Sequence, residues 1–136
     1  MHITVTQAQG KLPVTVMHVH GDLDAANYQA LINKTRDVYK SGARDILLDL
    51  SDMPFMGSSG LVALHSVAAL LRGEELPNTE TGWAAIRGMD RDRKIGLQQH
   101  VKLLNPKPRV DRVLDMAGFK QFFEIHTELE TAIAWF

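Results

Sequence analysis

The stretch Ile46-Leu47-Leu48-Asp49-Leu50-Ser51-Asp52-Met53-Pro54-Phe55-Met56-Gly57-Ser58-Ser59-Gly60-Leu61 decides the fold class of this chain. It opens on a short, continuous apolar run, which is typical of a strand covered on both faces by other elements. Pro54 and Gly57 interrupt this pattern and predict a loop. Apolar residues at helical spacing follow, so we predict a helix from about Ser58 to Leu71.

The segments on the N-terminal side predict two strands and a helix. Residues 2 to 7 alternate between apolar and polar side chains, and a second β-like run extends from Val14 to His20. Gly21 breaks this run, and Asp24 is a suitable N-cap for a helix that Gly42 ends. The two strands are expected to form a hairpin.

The segments on the C-terminal side predict an insertion followed by two strand–helix pairs. Residues 73 to 98 lose the helical periodicity and hold five glycine or proline residues, so we predict an insertion or long loop. Strands are expected at Val101 to Leu104 and across residues 122 to 125, with a helix between them. Thr127 and Glu130 match a capping box for a short terminal helix.

This order of elements indicates an α/β domain. The 136 residues and 45% hydrophobic content suffice for one core without disulfides. We therefore predict a mixed β-sheet of about five strands with about four helices packed on it, in one domain that spans residues 1–136.

The composition excludes several functional classes. Sixteen acidic residues against 15 basic ones give a net charge of −1, which lacks the basic surplus that phosphate contacts require, so no nucleic acid partner is predicted. The absence of cysteine excludes a thiol nucleophile and thiolate-bound zinc. No apolar run approaches the length of a spanning helix, so we predict no membrane insertion and expect a cytoplasmic protein.

The tetrapeptide Gly57-Ser58-Ser59-Gly60 places two hydroxyls where a loop ends and a helix begins. Free N–H groups and the positive end of the helix dipole favour negative charge at such a point, so a phosphate on Ser58 is compatible with the fold. Taken alone, however, the tetrapeptide favours a simpler interpretation, in which Ser58 or Ser59 caps the helix, because serine is among the preferred N-cap residues.

Four segments of the sequence form a pattern that extends across nearly the whole chain outside the insertion. They are Gly21-Asp22-Leu23-Asp24, Ile46-Leu47-Leu48-Asp49-Leu50-Ser51, Phe55-Met56-Gly57-Ser58-Ser59-Gly60-Leu61 and Val113-Leu114-Asp115-Met116-Ala117-Gly118-Phe119. In their order and spacing these segments resemble the STAS domains of anti-sigma factor antagonists.

This resemblance implies a STAS-like fold, a function and a set of site residues. In that family an anti-sigma factor serine kinase phosphorylates the serine that follows a loop aspartate, a position that falls on Ser58 here. A PP2C-type phosphatase is a further expected partner. The implied protein is a non-enzymatic regulator of transcription without cofactors. Its implied partner-binding residues are Asp22, Asp24, Met56, Gly57, Ser58, Ser59, Gly60 and Leu61.

One departure from the family pattern supports alternative functions. The family loop has the pattern D-S-S-G, whereas this chain carries Gly57 in place of the aspartate. The acceptor hydroxyl is kept, but a carboxylate that could orient it is lost. Gly57 therefore favours, as an alternative, a non-phosphorylated STAS scaffold or a transporter-associated subunit. A third hypothesis is binding of a small ligand or nucleotide at the helix start.

Other phosphotransfer and catalytic classes lack their motifs. A response-regulator receiver requires an acidic pair at the end of its first strand to hold Mg²⁺, and residues 6 to 9 supply none. The serine hydrolase motif G-x-S-x-G and the P-loop motif G-x-x-x-x-G-K-[ST] do not occur in the sequence. We therefore predict no catalysis by this chain.

Two further groups of side chains allow a structural and a functional interpretation. His18 and His20 lie two residues apart on a predicted strand and hence on one face, where His2 could join them as a metal ligand. The histidines match no recognised ligand spacing, so we interpret them as solvent-facing strand residues and predict no metal site. The apolar side chains at positions 53, 55 and 56 are assigned equally to the core and to an exposed docking surface.

Overall fold

The computed structural model describes residues 1–74 and 97–136. The strands in these residues are β1 (His2–Gln9), β2 (Pro13–His20), β3 (Ile46–Asp49), β4 (Val101–Leu104) and β5 (Ile125–His126). The helices are α1 (Tyr28–Lys40), α2 (Ser58–Leu71), α3 (Pro108–Met116) and α4 (Leu129–Ala134), with a 3-10 helix at Phe119–Gln121. The predicted α/β class, with five strands and four helices, is confirmed. Most of the insertion predicted at residues 73 to 98 lies outside the described residues.

The strands form one mixed sheet in the order β1-β2-β3-β4-β5. β1 and β2 form the expected antiparallel hairpin, and each later strand runs parallel to its neighbour. Met17 of β2 lies opposite Leu48 of β3, which in turn lies opposite Leu103 of β4. The carboxyl ends of β2 and β3 therefore share one edge of the sheet, and the loops that lead to α1 and α2 both start there.

One face of the sheet forms the main hydrophobic core with the helices. Because successive residues of a strand face opposite sides, alternate side chains of β2, β3 and β4 point to this face. They pack against the apolar stripes of α1 and α2 and against the segment from α3 to the 3-10 helix. Buried members of this core include Met17, Val19, Leu31, Ile32, Ile46, Leu48, Leu64, Val67, Leu103, Leu114 and Phe119.

The opposite face of the sheet is divided into an apolar part and a polar part. Val14, Val16 and Leu47 form a smaller buried cluster there, which Ala132 of α4 covers. Further along the same face, towards the carboxyl end of β2, the side chains are polar and include those of His18 and His20. The short terminal helix thus covers the apolar part only, where burial removes hydrocarbon from water.

The local predictions for α1 and α4 were wrong in detail. Asp24 does not cap α1, because the N-cap residue is Asn27 and the helix begins at Tyr28. The Asp24 carboxylate instead accepts a hydrogen bond from the Ala26 N–H at 3.0 Å, which closes a turn before the helix. The capping box is also absent, since the N-cap of α4 is Glu128 and no side-chain hydrogen bond caps it.

The last predicted strand is shorter than its apolar run. Phe122 and Phe123 are buried but precede β5, whose two residues alone pair with β4. The two phenylalanine rings pack edge to face, with centroids 4.7 Å apart. Their hydrophobicity therefore serves packing at the end of the 3-10 helix rather than strand pairing, a distinction that a short apolar run does not reveal.

Truncation of a central core side chain tests this architecture. Leu48 is fully buried, so Leu48→Ala should lower the free energy of unfolding by about 2–5 kcal/mol, through lost burial and the cavity left behind. Urea unfolding followed by circular dichroism measures this loss. Leu12→Ala is the control, because Leu12 is 43% exposed in the hairpin loop, and its effect should stay within about 0.5 kcal/mol. Equal effects of the two substitutions would contradict the assigned core.

Candidate functional site

The candidate site is built where the loops after β2 and β3 pair with each other. Leu23 and Met56 form an isolated parallel bridge outside the main sheet. The Leu23 N–H donates to the Phe55 carbonyl at 3.0 Å, and the Gly57 N–H donates to the Leu23 carbonyl at 2.8 Å. These two bonds hold residues 22–24 beside the start of α2.

Gly60 allows this pairing because it carries no side chain. A Cβ atom at Gly60 would lie 2.5 Å from Cγ of Met56 and 3.1 Å from Cγ of Leu23. Real Cβ atoms essentially never approach another heavy atom as closely as 2.5 Å. Both neighbouring side chains are fully buried or nearly so, so a side chain at position 60 would force the bridge or the first turn of α2 to shift.

Ser58 is the first residue of α2, and its side chain is exposed. The N-cap position belongs to Gly57, in extended conformation at φ −88° and ψ 178°, and no side-chain hydrogen bond caps the helix. The interpretation of Ser58 or Ser59 as the cap is therefore wrong. The first turn of α2 contains no acidic side chain, so the positive end of its dipole is not neutralised by the helix itself.

The other residues predicted for the site are either exposed at its surface or buried beneath the loop. Asp22 is exposed, and Asp24, Ser59 and Leu61 are partly exposed. Met56 is 1% exposed and Gly60 is buried, so these two residues shape the loop from beneath rather than forming its surface. The structure thus brings all the predicted positions into one region but exposes only some of them.

The apolar loop residues also divide between core and surface. Met53 and Met56 are buried in the main core, whereas Phe55 is 40% exposed. The Phe55 ring faces the guanidinium of Arg109 in the first turn of α3, at 5.9 Å from the ring centroid. Arg109 was not among the predicted site residues. No sequence pattern connects it to the loop, because the contact joins segments more than 50 residues apart.

The comparisons with known proteins agree with this geometry. The STAS domain model matches residues 5–75 of this sequence, which is more than half of the chain. This chain belongs to the STAS domain family. A comparison with curated proteins finds no match.

Solved structures show the same fold as this STAS domain at low sequence identity. A Thermotoga maritima protein provisionally assigned as an anti-sigma factor antagonist is 16% identical, with a TM-score of 0.70 over 96% of this chain and 91% of its own. An anti-sigma factor antagonist from Mycobacterium paratuberculosis is 20% identical, with a TM-score of 0.63 over 97% and 92%. The Bacillus cell fate determinant SpoIIAA in its phosphorylated form is 19% identical, with a TM-score of 0.52 over 97% and 96%.

His18 and His20 of the STAS domain belong to two parallel hydrogen-bonded chains on the polar part of the sheet. Nδ1 of His18 lies 2.7 Å from the Asp49 carboxylate, and its Nε2 lies 3.0 Å from the Thr6 hydroxyl. His20 repeats the arrangement with Asp52 at 2.8 Å and Thr4 at 3.2 Å. Each imidazole is thus held between a carboxylate and a hydroxyl rather than facing solvent freely.

This arrangement does not assemble a metal centre in the part of the STAS domain that the structure describes. The rings of His18 and His20 are nearly parallel, with centroids 6.5 Å apart, and each Nε2 atom faces a different threonine of β1. A chelated ion needs nitrogen atoms that converge on one point. Residues 1–74 and 97–136 hold no group of three side chains placed to bind a metal ion.

Asp49 joins the histidine chain to the loop that leads to the site. Partial burial acts to raise the pKa of Asp49, but hydrogen bonds from the hydroxyl and N–H of Ser51, at 2.7 and 3.0 Å, and from His18 hold that pKa below its usual value. The folded STAS domain therefore favours the ionised carboxylate.

Replacement of Gly60 tests the close approach that shapes the site. Gly60→Ala should lower the free energy of unfolding by about 1–2 kcal/mol, because the strain of overpacking exceeds the gain in helix propensity. Thermal unfolding monitored by circular dichroism measures the change. Gly73→Ala is unsuitable as a control because Gly73 has a positive φ of 81°. Ser59→Ala is a suitable control, because Ser59 lies one residue earlier in the same turn. A loss of stability as large in Ser59→Ala as in Gly60→Ala would contradict the assigned contact.

The acid dependence of stability tests the role of Asp49. Because the pKa of Asp49 is lower in the folded state than in the unfolded chain, its contribution is present at neutral pH and disappears as the pH falls through the folded-state pKa. Wild type should therefore exceed Asp49→Asn in stability at pH 7, and this difference should shrink below about pH 4. Urea unfolding at several pH values measures it. In a Ser51→Ala background, the difference in stability between the protein with Asp49 and its Asp49→Asn variant should be smaller. A difference that does not change with pH would contradict the lowered pKa assigned to Asp49.

Proposed function

We propose that this STAS domain is a regulatory binding module of the anti-sigma factor antagonist type, switched by phosphorylation of Ser58. The observation that carries this proposal is the exposed hydroxyl of Ser58 at the first position of α2, beside the loop that contains Asp22 and Asp24. A kinase can reach this hydroxyl without unfolding the domain.

The switch is electrostatic in this proposal. A phosphoserine carries roughly −1.5 to −2 charges at pH 7. The N-terminus of α2 stabilises this charge within the folded domain, so modification does not disrupt the fold. The same charge adds to those of Asp22 and Asp24 on the surface. A partner docked there would face repulsion and the cost of desolvating the phosphate, so we expect it to be released.

The proposed partners follow from the resemblance of the chain to anti-sigma factor antagonists. The unphosphorylated loop and the start of α2 would bind an anti-sigma factor serine kinase, which would free a sigma factor and so regulate transcription. A PP2C-type phosphatase would restore the unmodified form. In this scheme the chain acts by binding and performs no catalysis.

The same scheme places the protein in the cytoplasm, where sigma factors act. Among the helices in residues 1–74 and 97–136, none has the length and apolar character that a membrane span requires.

A second candidate function rests on Gly57. Without the aspartate of the family loop, Ser58 lacks a carboxylate at the preceding position that could orient it towards a kinase. This favours an unmodified STAS scaffold, or a subunit associated with a transporter, in which the same surface binds a partner permanently. The two functions differ in whether Ser58 ever carries phosphate.

The mass of the intact protein from its native cells distinguishes them. We expect a population heavier by one phosphate, which Ser58→Ala abolishes and Ser59→Ala retains. Peptide mass spectrometry then locates the modified residue. Absence of phosphate under several growth conditions, or unchanged incorporation in Ser58→Ala, would favour the scaffold.

Gly57→Asp tests whether the missing carboxylate limits phosphorylation. A Cβ atom at Gly57 would meet Phe55 at 3.6 Å, an ordinary contact, and the extended N-cap geometry suits aspartate. The substitution should therefore change stability by less than about 0.5 kcal/mol and increase the rate of phosphate incorporation by the native kinase. Gly57→Asn is the matched control, because it has the same shape without the charge. Equal rates in the two variants would contradict a role for the carboxylate.

A further inference from the structure

β1 is an unusually unprotected margin of the sheet. Its outer edge pairs with no segment among residues 1–74 and 97–136. Natural edge strands are protected by short length, charged side chains, proline or a bulge. The opposite margin, β5, has only two residues. β1 by contrast has eight residues in unbroken register with β2, and its sequence His2–Gln9 contains no lysine, arginine, carboxylate or proline.

The backbone groups that face outward from β1 follow from the bonding of β2. The Thr15 N–H donates to the Asp45 carbonyl at 2.9 Å, so the odd-numbered residues of β2 bond towards β3 and the even-numbered ones towards β1. Even residues of β1 lie opposite even residues of β2. The N–H and C=O groups of Ile3, Val5 and Gln7 therefore point away from the sheet.

We propose that this edge pairs with the same edge of a second copy of the chain, in an antiparallel dimer whose two-fold axis passes Val5. The two five-stranded sheets then continue into each other, with the helices of both copies on the same side. Val5 exchanges both backbone hydrogen bonds with its own counterpart. Ile3 does the same with Gln7 of the second copy, so the outward-facing groups of all three residues are paired.

The side chains of β1 are complementary in this register. Val5 meets Val5, and Thr4 of each copy lies opposite Thr6 of the other, so no charged side chains face each other across the axis. Cross-strand pairs of β-branched residues and of threonines stabilise antiparallel sheets. Thr6 already contacts His18, and Thr4 contacts His20. The two threonine pairs thus place the hydrogen-bonded side chains of the two copies next to each other on one continuous polar surface.

The face of the sheet that the helices cover supplies a second argument that the partner of β1 is the same strand of a second copy. Ile3 and Val5 pack against the main core but are only partly buried, since they lie at the margin of the area that the helices cover. A second sheet margin placed beside them would remove more of this hydrocarbon from water. In the proposed register, Val5 of each copy covers Val5 of the other, and Gln7 of each copy lies beside Ile3 of the other.

Measurement of the oligomeric state tests the dimer and its backbone contact. Sedimentation equilibrium of the full chain from low micromolar to about 1 mM should show reversible doubling of the mass. Gln7→Pro removes an outward N–H from each copy but leaves the bonds to β2 intact, so it should weaken dimerisation by about tenfold or more. Gln7→Ala isolates the backbone effect, because it loses the same side chain and keeps the N–H. If the measured mass is that of one chain at every concentration, the proposal is overturned. The edge of β1 would then pair with a strand of another protein instead.

Cysteine cross-linking tests the register independently of stability. The chain contains no cysteine, so each variant carries one thiol. Thr4 and Thr6 of opposite copies are expected about 4.5 Å apart at Cα, within disulfide range, whereas two Thr4 residues lie about 7–8 Å apart. A mixture of Thr4→Cys and Thr6→Cys should therefore form a disulfide-linked dimer under mild oxidation at least about tenfold faster than either variant alone. Equal rates in all three samples overturn the proposed pairing.

Discussion

The loops after β2 and β3 pair closely against a position, Gly60, that has no side chain. Without a Cβ there, Leu23 and Met56 can pair beneath the first turn of α2, and two backbone hydrogen bonds hold them together. The consequences extend to the surface, because this pairing sets both where α2 begins and which residues lie beside Ser58. The proposed switch therefore depends on a buried contact that neither a kinase nor a binding partner would touch.

The second organising feature is the unequal cover of the two sheet faces. Helices α1, α2 and α3 cover most of one face, but the short α4 covers only the apolar part of the other, over Val14, Val16 and Leu47. The part that α4 leaves clear carries polar side chains that satisfy each other through two hydroxyl–imidazole–carboxylate chains. This arrangement follows from the general cost of burying polar groups without partners. The strand that contributes the hydroxyls, β1, lies at a margin of the sheet where no further strand pairs with it among residues 1–74 and 97–136.

The architecture was largely predictable from the sequence, because its apolar periodicities are strong. The continuous run Ile46–Leu48 predicted a strand, the alternation at the N-terminus predicted a hairpin and the helical spacing after Ser58 predicted α2, and all three were confirmed. The errors lie at element ends, where Asp24 and Thr127 were assigned capping roles. There a side chain can bond within a turn or stay unbonded at similar free energy, and the surrounding packing decides.

By itself the sequence determined the α/β class, the order of the elements and the position of Ser58 at a helix start, because these depend on interactions within a few residues. Only the tertiary structure decided that Gly57 rather than a serine occupies the N-cap, that Met56 lies beneath the loop while Phe55 is exposed, and that Arg109 lies against Phe55. The physical reason is that these features depend on contacts between segments distant in the chain. Burial and close approach at such contacts are properties of the packed molecule, and no local pattern encodes them.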